Sequence, residues 1–286
     1  RMWQYRPARP ADLPGLGALL DRAGAGRLWE LWQAAGLGPL DHVVGVDGDR
    51  VGGALRFAAV GDRGAMIGPM WVLPREGPDP AALVRGALGA LRPRFRYVQA
   101  LVDAGDAEAG LALAEAGIPK AATLLALERP AGPEDAGIHP DVVLDYVKGG
   151  DLTALIQRTL EGTADVPALQ EALPASEILA SYRPGAGDPP PHWYRAEAGG
   201  EPVGCLLLNP LADGALELKY MGVIPEERGK GLGRSLMRRA IEEAVQGGFP
   251  RMTVLVDEAN AAAKAVYFAH GFRLRERKAF HFLAFA

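Results

Sequence analysis

The stretch at residues 215–236, ALELKYMGVIPEERGKGLGRSL, combines the residue types that hold an anion. Arg228, Lys230 and Arg234 supply positive charge in and beside a run of alternating glycines, and the pattern around this run predicts a strand before it and a helix after Gly233. Glycine lets a ligand approach the backbone, and the first N–H groups of a helix have no partner inside it. The stretch therefore predicts a strand–loop–helix site for a phosphate group.

Two other phosphate-binding loops do not fit these residues. A P-loop needs G-x-x-x-x-G-K-[ST], but Gly229-Lys230 is followed by Gly231, and Ile224 stands where the first glycine belongs. A dinucleotide-binding fingerprint that starts at Gly229 or Gly231 would need glycine where Arg234 or Leu236 stands. What remains is the pattern R-x-x-G-x-G, preceded by V-x-P.

The composition narrows the class of protein. A chain of 286 residues with 49% apolar and 23% charged residues has room for two globular domains. The net charge of −4 disfavours nucleic-acid binding, and no apolar run approaches the roughly 20 residues of a membrane span. The single cysteine, Cys205, lies in an apolar strand pattern and fits a reducing, cytoplasmic compartment. We expect no signal peptide and, because no His, Cys, Asp and Glu cluster has ligand spacing, no metal.

The elements that must position the loop occur in both halves of the chain. Patterning predicts two helices and two strands, then strand, helix, strand, helix and strand, in each half. In the first half, the helix at residues 28–35 carries Trp29 and Trp32, which we expect to pack in a core. In the second half, a strand at residues 142–147 comes first, and one long helix covers residues 168–182.

An internal repeat supports this order. Val102-Asp103 and the following helix align without gaps on Val256-Asp257 and its helix, so that Asp106 matches Asn260. The halves differ at the phosphate loop, where the first half has Gly77-Pro-Asp-Pro. Two prolines and an aspartate cannot offer the same run of N–H groups to an anion, so we expect that the first half has lost the loop. Residues 129–140, rich in proline and containing His139, predict a linker between the halves.

These motifs identify a family. The run V-x-P-x-x-R-G-x-G-x-G from Val223 to Gly233, with N-x-x-A-x-x-x-Y-x-x-x-G-F from Asn260 to Phe272, resembles the GNAT acetyltransferase superfamily. The first half resembles a degenerate copy, so the chain is similar to tandem GNAT proteins. The resemblance implies an α/β (α+β) fold with two tandem GNAT-like domains, each a twisted mixed sheet with helices on both faces. We expect these domains at residues 1–130 and 141–286, joined by a linker at 131–140.

The resemblance also implies acetyl-CoA as the donor. In this family the pantetheine arm pairs with the backbone of the strand that ends at Val223, and the loop amides hold the pyrophosphate. Asn260 is either the N-cap of its helix, a contact to the donor, or both. The donor-binding residues expected on this basis are Met221, Gly222, Val223, Arg228, Gly229, Lys230, Gly231, Leu232, Gly233, Arg234, Ser235 and Asn260.

Two residues are candidates for the proton transfers of acetylation. Glu217 occupies the strand position where some family members carry the base, although a cross-strand partner of Lys or Arg is an equal reading. Tyr267 fits the family's position for the acid that protonates the CoA thiolate, and a core aromatic residue is the alternative. The predicted function is acetyl transfer to an amine of a small molecule or peptide; the alternative is a non-catalytic acyl-CoA sensor. We also hypothesise that the first half covers one side of the acceptor pocket, with Glu161, Asp165 and the loop at residues 183–191 near its mouth. Oligomeric state stays open.

Overall fold

A computed structural model describes residues 2–27, 30, 41–135, 144–146, 151–184 and 189–285. The described strands are β1 Gln4–Pro7, β2 His42–Asp47, β3 Arg50–Val60, β4 Gly64–Val72, β5 Tyr97–Asp103, β6 Lys120–Pro130, β7 Leu144–Tyr146, β8 His192–Ala198, β9 Glu201–Pro210, β10 Leu216–Val223, β11 Arg251–Asp257 and β12 Arg273–Ala284. The described helices are α1 Leu13–Arg22, α2 Pro80–Leu91, α3 Ala107–Glu115, α4 Thr153–Leu160, α5 Pro167–Ala172, α6 Ala175–Ser181, α7 Leu232–Gln246 and α8 Ala261–Ala269. Trp29, Trp32 and His139 lie outside the described residues.

None of the described helices is long and apolar enough to cross a membrane.

The chain forms two compact units, Arg1–Ala121 with Ala279–Ala286, and Ala122–Lys278. This division differs from the predicted one because β6, which the sequence assigns to the first half, pairs along residues 124–130 with β11 of the second unit. The last part of β12 belongs to the first unit. A linear pattern does not reveal which strands become neighbours, and the functional division at residues 131–140 stays a prediction.

The first unit has a mixed sheet with helices on both faces. The strands β1, β2, β3, β4 and β5 follow one another in space, and only the pair β4 and β5 is parallel. Neighbouring residues of β2 belong to different hydrophobic cores. Val43 packs in the core that contains α2, and Val44 packs in the core that contains α1. Because successive side chains of a strand face opposite sides, α1 and α2 cover opposite faces.

The second unit repeats this architecture. Its sheet runs β12, β6, β11, β10, β9, β8 and β7, with β10 and β11 as a parallel pair. A Cβ atom added at Gly222 would contact Thr159 of α4, whereas one added at Gly204 would lie 3.6 Å from Leu236 of α7. Gly204 pairs with Val223, the neighbour of Gly222, so α4 and α7 lie on opposite faces. The predicted fold class is therefore confirmed for both units.

One predicted helix is wrong in its extent. The sequence predicts one helix at residues 168–182, but the chain forms α5 and α6 with a break at Leu173-Pro174. Leu173 is extended, with φ −122° and ψ 138°. Proline lacks an N–H group and disfavours helical backbone in the residue before it, so the helix ends there.

The aligned positions of the repeat have equivalent places in the two units. Asp106 accepts a hydrogen bond from Ala109 N (3.0 Å) at the start of α3, and Asn260 accepts one from Ala263 N (3.1 Å) at the start of α8. The parallel pairing is equally short in both units: residues 64–66 pair with 97–99, and residues 216–218 pair with 252–254. The repeat read from the sequence thus corresponds to a repeated βαβ arrangement.

Candidate active site

A cavity of about 730 Å³ opens in the second unit where β10 and β11 diverge. β10 pairs with β11 only over residues 216–218, but it continues to pair with β9 as far as Val223. The register on β9 shifts between Leu218 and Tyr220, which marks a bulge at this point. Residues 218–223 and 254–256 line the cavity. In the described part of the chain, the backbone edge of β10 beyond Leu218 therefore faces a gap in which an extended ligand can add as a strand.

The glycine loop forms one end of this cavity. Gly231 is the N-cap of α7, with φ +89° and no side-chain cap, and its carbonyl oxygen accepts from the N–H groups of Arg234 and Ser235. A Cβ atom added at Gly229, Gly231 or Gly233 would meet nothing within 4 Å. Within the described residues, the N–H groups of Leu232 and Gly233 have no hydrogen-bond partner, and the start of α7 borders open space, which fits a phosphate group.

The three cations of the loop have different surroundings. Arg228 donates from Nε to the carbonyl oxygen of Val223 and from Nη2 to that of Thr159, both at 3.0 Å. Lys230 pairs with Glu227 at 2.9 Å. Arg234 lines the cavity, is exposed, and has no ion-pair partner within the described residues. Arg234 is consequently the cation best placed to meet an anionic ligand, while Arg228 fixes the end of β10 to the end of α4.

Nine of the twelve predicted donor-binding residues line the cavity: Met221, Gly222, Val223, Arg228, Gly229, Gly231, Gly233, Arg234 and Asn260. The side chains of the other three point elsewhere. Leu232 packs against the apolar core of the unit, Ser235 is 6% exposed on the inner side of α7, and Lys230 meets Glu227.

Tyr267 lines the same cavity from α8. It is 6% exposed, and its ring lies 5.7 Å from that of Phe272, centroid to centroid. Burial, with a smaller effect of the negative charge of Asp165, raises the pKa of Tyr267 and keeps the phenol protonated at neutral pH. Among the described residues, none forms a hydrogen bond with its hydroxyl, so this proton is available to a ligand.

Glu217 does not line the cavity. Its position in β10 lies within the short segment paired with β11, opposite Thr253, and its carboxylate meets the Nζ of Lys219 at 3.4 Å. Lys219 does line the cavity. Glu217 therefore pairs with a basic residue of its own strand rather than with the expected cross-strand Lys or Arg, and its role as the base stays a prediction.

A buried polar cluster lies behind the β10 edge and was not foreseen from the sequence. Thr159 Oγ1 donates to Ile156 O and lies 3.0 Å from the hydroxyl of Tyr220, which must then be the donor. The ring of Tyr220 stacks on Tyr182 at 5.2 Å. Burial raises the pKa of Tyr220. It also raises the pKa of the Cys205 thiol to about 12, so Cys205 is an uncharged core residue. The alternation of β10 was the only sequence signal for this cluster.

Asp165 lines the cavity, whereas Glu161, also expected near the acceptor, does not. Burial is the main cause that raises the pKa of Asp165 above its ordinary value of 3.8, and the charge of Asp257 adds to it.

Within the described residues, no group of three or more His, Cys, Asp or Glu side chains could hold a metal ion.

Residues 157–272 match the acetyltransferase (GNAT) family. These residues, which lie in the second unit, are a GNAT acetyltransferase domain. The mycothiol acetyltransferase of Thermomonospora curvata is 30% identical to the chain over 193 residues, which cover 66% of this chain and 64% of the relative. The one from Thermobispora bispora is 38% identical over 82 residues, 28% of this chain and 25% of the relative. The chain thus spans less than two thirds of the length of these curated relatives.

Solved structures of low sequence identity share the fold of this chain. A GCN5-related N-acetyltransferase from Sphaerobacter thermophilus superposes with a TM-score of 0.60 at 18% identity, over 99% of this chain and 95% of the other. A tandem GNAT protein from the clavulanic acid biosynthesis pathway gives a TM-score of 0.53 at 19% identity, over 85% and 82% of the two chains. At these identities the similarity shows the fold alone, and it agrees with two GNAT-like units in one chain.

Proposed function

We propose that this GNAT protein transfers the acetyl group of acetyl-CoA to the nitrogen of an amine acceptor. One observation carries the proposal: a single cavity joins the open edge of β10, the uncapped start of α7 and the hydroxyl-bearing ring of Tyr267. The first two features suit the long, partly anionic donor, and the third suits the departure of its thiolate. The acceptor is an amine of a small molecule or a peptide.

The donor site follows from these backbone groups. The edge of β10 at residues 219–223 offers N–H and C=O groups to the amides of an extended pantetheine arm. The N–H groups at the start of α7, with Arg234, would hold the pyrophosphate. An N–H group among residues 221–223 could donate to the thioester oxygen as negative charge develops on it. Bound acetyl-CoA supplies an acyl group activated as a thioester.

Tyr267 is the proposed acid. The C–S bond breaks as the thiolate leaves, and a proton held at Oη of Tyr267 can neutralise it. The raised pKa of Tyr267 ensures that the proton is present at neutral pH. A non-catalytic acyl-CoA sensor would use the same donor site and would not need this hydroxyl. Relatives named mycothiol acetyltransferases support acetyl transfer over the sensor.

The Tyr267→Phe variant tests the proposal. It keeps the ring and removes the proton, so kcat should fall about 100-fold while the Kd for acetyl-CoA stays within about twofold. CoA release from acetyl-CoA over a panel of primary amines gives kcat, and calorimetry gives Kd. Tyr5→Phe, in the first unit, is the matched control and should behave as the wild type.

Two results would count against the proposal in different ways. If the wild-type protein binds acetyl-CoA tightly but acetylates none of the amines, the sensor function is favoured. If the wild type turns over and Tyr267→Phe keeps its full kcat, acetyl transfer stands but Tyr267 is not the acid.

A further inference from the structure

The loop between α4 and α5 is tied to the end of β11 by two hydrogen bonds that run in opposite directions. Asp257 N donates to Asp165 Oδ1 at 3.2 Å, and Val166 N donates to Asp257 Oδ2 at 3.1 Å. The other carboxylate oxygen of Asp257 accepts from Ala259 N at 2.9 Å. Asp257 is therefore occupied by backbone donors. Asp165 Oδ2, in contrast, accepts from no group in the described part of the chain.

The backbone at Val166 holds this arrangement in an unusual conformation. Val166 is left-handed, with φ 43° and ψ 68°, and is 6% exposed. A β-branched residue rarely adopts this region, and the conformation costs about 1–3 kcal/mol. Packing of the buried side chain and the bond to Asp257 must offset that cost. The result is that the preceding residue, Asp165, is presented to the cavity.

Among the described residues, the carboxylate of Asp165 has no cationic partner. Lys219, Arg228 and Arg234 line the same cavity, but none of them pairs with Asp165 in the described structure. Tyr267, more than nine-tenths buried and without a described hydrogen-bond partner, lines the cavity as well. A partly buried carboxylate without a counter-ion gains from a ligand that brings a positive charge. Asp165 and Tyr267, the proposed acid, line the same cavity. A cationic ligand at Asp165 would therefore share that cavity with the group proposed to protonate the leaving thiolate.

We propose that Asp165, held in place by Asp257, binds the ammonium group of the acceptor and removes its proton. This inference rests on the proposed acetyl transfer and names the class of acceptor, a primary amine that is cationic at neutral pH. It also assigns the base to the α4–α5 loop rather than to Glu217, whose carboxylate meets Lys219 and does not line the cavity.

The proton balance is complete without a further reactant. Asp165 takes one proton from R–NH₃⁺ and later returns it to water. The neutral nitrogen forms the C–N bond to the acetyl carbon, and the C–S bond breaks. The second proton of the nitrogen replaces the one that Tyr267 gives to the leaving thiolate. The products are the amide, CoA–SH and one proton in solution.

The charged and titratable groups that act on Asp165 or respond to it come from several elements. Asp257 belongs to β11, Tyr267 to α8, Tyr220 to β10, and Tyr182 follows α6. The three tyrosines are uncharged at neutral pH because burial raises the pKa of each. The acidic limb of a rate profile would therefore report Asp165, whose pKa is raised mainly by burial and further by the charge of Asp257.

The test compares Asp165→Asn with Glu217→Gln in the full chain, with Asp213→Asn as control; Asp213 is exposed and outside the cavity. The probes are phenylethylamine and glucosamine, which are cationic at pH 7, and aniline, which is neutral. Asp165→Asn should lower kcat/KM at least about 100-fold for the cationic amines and less than about tenfold for aniline. It should leave the Kd for acetyl-CoA unchanged and abolish the acidic limb of the profile. Asp257→Asn should move that limb to lower pH.

The proposal is overturned if Glu217→Gln suffers the loss and Asp165→Asn does not. An equal loss for aniline, together with weaker acetyl-CoA binding, would mean that Asp165 only supports the loop. A second measurement is independent of turnover: calorimetric binding of phenylethylamine to the CoA-bound protein should weaken at least tenfold in Asp165→Asn. If the wild type acetylates none of the probes, the proposed function fails, and this binding measurement alone decides. No binding to the wild type, or equal binding to the variant, rejects Asp165 as the ammonium site.

Discussion

The guanidinium of Arg228 joins two backbone carbonyl groups at the edge of the cavity. One belongs to Val223, at the end of β10, and the other to Thr159, in the last turn of α4. The last carbonyl groups of a helix lack intrahelical donors and carry partial negative charge, so a planar cation with several N–H groups suits them. The loop arginine thus fixes the β10 edge relative to α4, a role that its position in the motif did not reveal.

Asp165 should reduce stability at neutral pH because its pKa is higher in the folded protein than its ordinary value of 3.8. Its favourable contribution is complete below the unfolded pKa and is lost as pH rises through the higher folded pKa. In Asp165→Asn the side chain does not titrate, so this loss of stability with rising pH is absent. The asparagine Oδ1 can still accept a hydrogen bond from Asp257 N. We expect the variant to gain stability relative to the wild type as pH rises above the ordinary pKa of 3.8, and to unfold at higher urea concentration at pH 7. An Asp165→Asn protein less stable than wild type at pH 7, with Asp213→Asn unchanged, would contradict this expectation.

Individual site residues were predictable where one element alone decides them. Tyr267 lies in the helix that Asn260 caps, so the helical pattern predicts that both residues line one cavity, as they do. Asp165 was expected near the acceptor, but its bond to Asp257 joins residues 92 positions apart. A contact over that distance depends on the packing of α4, α5 and β11 together. For the same reason, the Thr159 and Tyr220 cluster could not be read from the sequence.

At the scale of elements, the starts of α2 and α7 explain the difference between the two glycine-containing loops. Asp79 Oδ1 accepts from Ala82 N at 2.8 Å, and Pro80 removes one N–H group, so the start of α2 already holds a carboxylate. A Cβ atom added at Gly77 would lie 2.6 Å from Gly52 O, which means that this loop is packed against the sheet. The start of α7 is uncapped and open. These contacts support the prediction that only the second half binds acetyl-CoA.

A charge placed at the start of α7 should separate helix stability from donor binding. In Gly233→Glu, the carboxylate complements the helix dipole, and glycine is lost from the helix, so the protein should be stabilised by about 0.5–1 kcal/mol. The same carboxylate should repel the pyrophosphate and weaken acetyl-CoA binding about tenfold relative to Gly233→Gln, which has the same size. Thermal unfolding and calorimetry at two salt concentrations measure both effects. If Glu and Gln weaken binding equally, bulk rather than charge excludes the ligand, and the anion site is placed wrongly.

The existence of most elements could be predicted, whereas their partners could not. The alternation of apolar and polar residues predicts β10, and apolar residues at helical spacing predict α7 and α8. The ends of the two helices are marked by glycine or asparagine. The single long helix predicted at residues 168–182 is wrong because Pro174 ends the first helix, although the helical spacing of apolar residues continues past it. The divergence of β10 from β11, which opens the cavity, depends on register, and register is a property of two strands and not of one.

At the scale of the whole molecule, the chain contains the same arrangement twice, and the repeat was visible from the sequence. Each unit has a mixed sheet that contains a short parallel pair, and helices on both faces. The end of the chain is the exception to a simple division into halves. Residues 279–286 belong to the first unit, although they follow the second-half motifs directly. Phe282 therefore packs on Tyr97, with 5.7 Å between ring centroids.

The assignment of residues 279–286 to the first unit predicts that replacing Phe272 and replacing Phe282, only ten positions apart, will loosen different units. Phe282 is 6% exposed in the first unit, and Phe272 is 0% exposed in the core of the second, 5.7 Å from the ring of Tyr267. Replacing either by alanine should cost about 3–5 kcal/mol of local stability. Phe282→Ala should speed amide hydrogen exchange in residues 42–103 and leave the Kd for acetyl-CoA within about twofold. Phe272→Ala should speed exchange in residues 192–272 and weaken acetyl-CoA binding, because Tyr267 loses its packing partner.

The comparison of the two variants tests whether the donor site depends on the second unit alone. The predicted division at residues 141–286 would place both phenylalanines in one domain, so both variants would then loosen the same peptides and weaken acetyl-CoA binding alike. The contacts instead place Phe282 with Tyr97 and Phe272 with Tyr267. Because a lost aromatic contact first loosens the neighbours that packed on it, exchange should rise in two separate sets of peptides. Equal loss of acetyl-CoA binding in both variants would reject the assignment of the last residues to the first unit.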